Sequence, residues 1–134
     1  MLHSIIPAIK YDNCRQAIDW LCEVFDFSLE FLVDGDGEMV KHAQLMKGSS
    51  MIMVGSSDHS EFGSLNVSPR LIGNRVTTSL YVVLDNITPH YHRVCRAGAD
   101  IVIELTEEDY GGASYTCRDI EGHIWTFGTY NPFS

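Results

Sequence analysis

His42 and Gln44 stand two residues apart in a stretch, Met39 to Met46, where side chains alternate. On a strand that spacing sets an imidazole and a carboxamide on one face, where both can hydrogen-bond or ligate a common partner. A lone histidine does not make a catalytic metal site, which needs further protein ligands. His90 and His92 flank Tyr91 in a helical pattern, so they diverge and are expected on a solvated face. His123 lies beside a turn and His59 in a polar stretch. Asp34, Asp36 and Glu38 open like a calcium loop, but the later ligands of such a loop are missing, and Asp-Gly between two strand-like runs signals a hairpin. Cys14, Cys22, Cys95 and Cys117 form no C-x-x-C pair; three lie at apolar-face positions and read as buried thiols in a reducing compartment. Ser79 and Cys117 lack an adjacent histidine, and the chain contains neither a G-x-S-x-G elbow nor a P-loop. Arg118 can hold an anion or pair with Asp119 or Glu121.

The elements that must position these groups follow from periodicity. Ile5 to Tyr11 reads as a strand, with Pro7 suited to its edge or start. Asp12-Asn13 offers capping side chains, and Ala17, Ile18, Leu21, Cys22 and Phe25 follow at helical spacing. Ser28 to Val33 is a strand, Asp34 to Gly37 a turn, and two alternating strands follow at Met39 to Met46 and Ser50 to Val54. Ser56 to Arg75, rich in Ser, Gly and Asn, is a linker between modules or a flap over a site. From Thr77 the plan restarts. Thr78 to Leu84 is a strand, Thr88-Pro89 opens a helix with Tyr91, Val94 and Cys95 on its apolar face, and Gly98 stops it. Ile101 to Leu105 and Ala113 to Arg118 are strands, and the closing hairpin runs from Arg118 to Gly128.

Each half therefore reads β-α-β-β-β. A shift of 73 residues carries Asp12-Asn13 onto Asp85-Asn86, Cys22 onto Cys95 and Gly55 onto Gly128. The chain of 134 residues is long enough for one domain with a core, with modules at about 1–55 and 77–134. Its composition, 45% hydrophobic and 20% charged, is that of a soluble globular protein. A net charge of −9 argues against nucleic acid and anionic membranes as partners, because phosphate binding draws on Lys and Arg. With no signal-peptide pattern and no membrane-length apolar run, a cytoplasmic location is expected.

The repeat, together with the ending Arg118-Asp119-Ile120-Glu121-Gly122-His123-Ile124-Trp125-Thr126-Phe127, resembles the vicinal oxygen chelate superfamily. That family includes glyoxalase I, extradiol dioxygenases, bleomycin-resistance proteins and PhnB-like proteins. The stretch Trp125 to Pro132 looks most like the PhnB-like and bleomycin-resistance-like branches, although Asp119-Ile120-Glu121-Gly122 lacks the proline common in the family's turn. The resemblance implies an α+β fold of two βαβββ modules whose curled mixed sheets pair around a cavity. It also implies a divalent metal held by His, Gln or Glu from the first and last strands of the modules. The matching positions here are Ile6, Met53, Ser79 and Thr126, and the 73-residue shift carries the first pair onto the second.

Ile cannot coordinate, Met prefers soft ions, and neutral hydroxyls bind weakly beside water. The expectation is a protein without metal or other cofactor that binds a small organic molecule. The cavity-lining residues expected from strand alternation include His42, Gln44, Met51 and Met53 from the first half, with Ser79, Tyr81, Thr116, Arg118 and Thr126 from the second. Two alternatives stand beside it: a metal-dependent lyase, isomerase or dioxygenase with relocated ligands such as His42, and a non-catalytic interaction domain. The expected assembly is a homodimer.

Overall fold

Asn13 starts the first helix. Its side-chain oxygen accepts a hydrogen bond from the Gln16 amide at 3.2 Å, and the helix α1 runs over Cys14–Phe25. The apolar stripe of α1 buries Ala17, Ile18, Leu21, Val24 and Phe25. Asp26 ends it in the left-handed conformation at φ 64°, and the Lys47 ammonium donates to the Phe25 carbonyl at 2.8 Å. That cation satisfies an orphan carbonyl and opposes the negative end of the helix dipole.

The computed structural model describes residues 3–109 and 111–134, in two compact units, Met1–Ser68 and Pro69–Ser134. In the first unit, α1 packs on a sheet of β1 (Ala8–Tyr11), β2 (Ser28–Asp34), β3 (Val40–Lys47) and β4 (Ser50–Ser56), ordered β1-β4-β3-β2. β1 runs parallel to β4, and the remaining pairs are antiparallel. In the second, α2 (Ile87–Arg96) packs on β5 (Leu80–Val83), β6 (Asp100–Glu107), β7 (Ala113–Arg118) and β8 (Ile124–Gly128), ordered β5-β8-β7-β6. Here too the first strand is parallel to the last. The expected α+β fold of two βαβββ modules is observed.

The internal repeat holds at the level of register. Ala8 lies opposite Met53, and Tyr81 opposite Thr126, so both partners move by the same 73 residues. Gln44 faces Met53 as Thr116 faces Thr126, and Met46 faces Met51 as Arg118 faces Ile124.

Alternation divides each sheet. Ala43, Leu45, Ile52 and Val54 are buried on the helix side of the first, and Tyr115, Cys117, Trp125 and Phe127 on that of the second. The second core is an aromatic stack: Phe127 lies 5.3 Å from Tyr115 and 6.2 Å from Trp125, ring centroid to ring centroid. Complete burial of side chains this large contributes roughly 1.5–3 kcal/mol each.

Five expectations about the elements need correction. β1 begins at Ala8 rather than Ile5, because Pro7 has no N–H to give; its carbonyl instead accepts from the Met53 amide at 2.9 Å. β5 begins at Leu80, since its parallel partner β8 starts only at Ile124 and the ladder runs out there. α2 begins at Ile87, one residue before Thr88-Pro89, and Asn86 occupies its N-cap without a side-chain hydrogen bond. The buried face of α2 is Ile87, His90 and Val94; Cys95 is exposed. His90 was expected in solvent but is buried because Tyr115 offers its ring nitrogen Nδ1 a hydroxyl at 2.6 Å. The stretch 56–76 contains two short 3-10 turns, Gly63–Leu65 and Pro69–Ile72.

Candidate functional site

Each sheet has a second face, away from its helix. On the first, β3 presents His42, Gln44 and Met46, and β4 presents Met51 and Met53, all half-buried. The His42 Nε2 and the Gln44 Oε1 are 2.9 Å apart. The alternation expected from sequence places these five residues together on one face, as the structure does.

β2 adds what alternation alone misses. Its ladder with β3 carries irregularities between Leu29 and Phe31 and between Val33 and Asp34, so its side chains change phase. Phe31 comes opposite Gln44 and Val33 opposite His42, on the face of the methionines. The Phe31 ring meets the His42 ring edge-on at 6.2 Å, yet half of its surface stays exposed, 50%. A large aromatic left this open on a face of thioethers is ready-made contact area for an apolar ligand.

On the second sheet, β7 presents Thr116 and Arg118, β8 presents Ile124 and Thr126, and β5 presents Tyr81. The Thr116 and Thr126 hydroxyls bond each other at 2.7 Å. The Tyr81 hydroxyl donates to the Tyr130 carbonyl at 2.8 Å, which ties the tail after β8 to β5. Ser79 lies just before β5 and is exposed, and Ile6 lies before β1 and is 39% exposed. An irregularity in β6 sets Ile103 opposite Thr116, 56% exposed, as Phe31 is set in the first sheet.

Arg118 pairs with neither Asp119 nor Glu121. Its Nη1 donates to Asp100 Oδ2 at 3.0 Å, and its Nε is buried without a hydrogen-bond partner among the described residues. A groove of about 480 Å³ in the second unit is lined in part by Arg118, Asp100, Arg70, Asn74 and Glu121. Arg70 Nη2 sits 3.6 Å from Glu121 Oε1, so both guanidiniums already have carboxylate neighbours.

Asp119 organises the closing turn. Its Oδ1 accepts from the amides of Glu121 at 3.0 Å and His123 at 3.1 Å, and its Oδ2 accepts from the Trp125 indole at 3.0 Å. Gly122 turns the chain at φ +95°, which its missing Cβ permits. An Asp at the start of an Asp-x-x-Gly turn was the available signal. The indole bond was not legible, because it depends on a neighbouring strand's geometry.

The thiols are poor nucleophiles where they are buried. Desolvation, aided by the nearby charges of Asp119 and Asp100, pushes the Cys117 thiol up to about 12. Burial also raises the Tyr115 phenol well above its usual range. Among the described residues no three of His, Cys, Asp and Glu gather as a metal-holding group. The donors at Ile6, Met53, Ser79 and Thr126 do not suit a divalent ion, since a thioether and two hydroxyls supply neither charge nor strong basicity.

A sequence profile, described as the glyoxalase/bleomycin resistance protein/dioxygenase superfamily, matches residues 7–127. The chain belongs to this superfamily. An uncharacterised Mycobacterium bovis protein is 25% identical over 126 residues, covering 93% of this chain and 82% of that one. The crystal structure of TioX from Micromonospora sp. ML1 superposes with a TM-score of 0.75 at 30% identity, covering 94% of both chains. The fosfomycin resistance protein FosX of Listeria monocytogenes shares the fold, with a TM-score of 0.71 at 11% identity over 99% of this chain and 98% of its own. Within the superfamily the fold is shared and the chemistry varies. In this member the open sheet faces offer hydrogen-bonding and apolar groups, and the positions at which metal-dependent relatives are expected to place ligands hold none suited to a divalent ion.

Proposed function

We propose that the protein is a metal-free small-molecule-binding member of the superfamily, of the bleomycin-resistance-like or PhnB-like branch. The ligand rests on the open sheet faces, against His42, Gln44, Met51 and Met53 of the first unit. Considered by itself, the second unit offers a ligand Tyr81, Thr116, Arg118 and Thr126 on its sheet face, with Ser79 just before β5. One observation carries the reading: where metal-dependent relatives are expected to hold their ion stand Ile6, Met53, Ser79 and Thr126, and the Thr126 hydroxyl is bonded to Thr116 at 2.7 Å. A neutral hydroxyl engaged in this way has neither the charge to retain a metal nor the basicity to take a proton. The remaining groups on these faces recognise rather than react, with adaptable thioethers and a few polar atoms, the composition of a ligand pocket. FosX, described by its name as a fosfomycin resistance protein, shares the fold.

The test is a ligand-observed NMR screen of a diverse small-molecule library against the full chain. Binders competing for one site, and weakened about tenfold by Met53→Glu, support the proposal; a screen that yields none contradicts it. The protein is further proposed to act in the cytoplasm as a homodimer, with exposed apolar residues such as Leu29 on edge strand β2 and Val102 on edge strand β6 favouring association.

A further inference from the structure

Resting on this binding reading, one contact defines the ligand's chemistry more closely. The oxygen of the Gln44 carboxamide faces His42 Nε2 at 2.9 Å, and a carboxamide oxygen can only accept. Nε2 therefore carries the proton, and in the neutral ring Nδ1 is left with a lone pair. Among the described residues nothing donates to that Nδ1. The ring is half-buried, so the unused acceptor belongs to a face partly withdrawn from solvent. Beside it lies Phe31, half exposed, with its ring edge-on to the imidazole, and on the same face are Met46, Met51 and Met53.

We infer that His42 and Gln44 form a recognition pair in which Gln44 fixes the tautomer and His42 Nδ1 accepts a hydrogen bond from an O–H or N–H on a flat aromatic ligand. The ring of that ligand lies against Phe31 and the methionines. The complementarity is specific in sign. A ligand with a donor at its rim satisfies Nδ1, whereas one whose rim carries only an acceptor, or a methyl in place of the proton, strips water from Nδ1 and returns nothing. The second sheet has no such pair: at the position matching Gln44 stands Thr116, and its hydroxyl is bonded to Thr126.

The experiment uses the full chain and two probes of the same ring, 2-naphthol and 2-methoxynaphthalene, titrated by two-dimensional NMR. Naphthol is expected to bind about tenfold or more tightly than its methyl ether, with the largest shifts at Phe31, His42 and Gln44. That preference is expected to disappear in His42→Phe, which keeps an aromatic ring, and to shrink in Gln44→Leu, which releases the tautomer. Long-range nitrogen–proton spectra of the unsubstituted protein are expected to show His42 protonated at Nε2; protonation at Nδ1 overturns the inference without any variant. Equal affinities for the two probes overturn it as well. So does binding that leaves the first unit unperturbed, and in both of these cases the broader binding reading stands. If neither probe binds and the library screen also yields nothing, both readings fall together.

Discussion

Asp119 shows how one buried carboxylate can set a turn. Three donors converge on it from residues two, four and six places further along. Replacing it with alanine removes the common acceptor of two amides and an indole N–H, so Asp119→Ala is expected to cost on the order of 3 kcal/mol, read from urea unfolding. Cys117 gives a pH dependence of definite sign. The unfolded thiol ionises near its ordinary value of roughly 8.5, while the folded one holds its proton to about 12. Its contribution is complete below the unfolded value and is lost as pH rises toward the folded one. Stability is expected to fall from about pH 8.5 upward by up to ~1.4 kcal/mol per pH unit for this proton, with Tyr115 adding to the fall at higher pH. Urea midpoints measured between pH 8 and 10.5 check it; Cys117→Ala, whose side chain has no proton to lose, should show the shallower slope.

At the scale of the elements, the two helices begin at equivalent asparagines that behave differently. Asn13 caps α1 with its side chain and Asn86 does not cap α2. Asn13→Ala is therefore expected to lower stability by about 1 kcal/mol and Asn86→Ala by much less, measured side by side by thermal or urea denaturation. Gly128, at the end of β8, is a different constraint: a Cβ there would run into the Tyr81 hydroxyl and ring. Gly128→Ala should displace Tyr81 and break its 2.8 Å bond to Tyr130, which is visible as loss of amide protection along the tail after β8. Periodicity made the elements themselves legible, because α1, β3, β4, β7 and β8 each bury one consistent face. It failed where phase slips. The irregularity that brings Phe31 opposite Gln44 has no signature in apolar–polar alternation, and neither does the choice of His90 over Cys95 for the core, which depends on a hydroxyl from another strand.

At the scale of the molecule, the repeat was readable from asparagines, cysteines and glycines 73 residues apart, and the strand registers keep that spacing. The candidate site was only partly readable. His42, Gln44, Met51 and Met53 could be grouped because they lie on adjacent strands of simple alternation. Arg118 could not be assigned its partner Asp100, which arrives from β6 and is 18 residues away in sequence. For the proposed homodimer, light scattering should give about twice the 15.0 kDa chain mass, and the chain mass itself would refute the assembly. The proposal that this member binds without metal turns on Ile6, Met53, Ser79 and Thr126, and native mass spectrometry of protein purified without chelator tests it most directly. The expected spectrum shows chains free of stoichiometric metal, alone or carrying one organic adduct. One divalent ion per chain, retained through desalting, would contradict it.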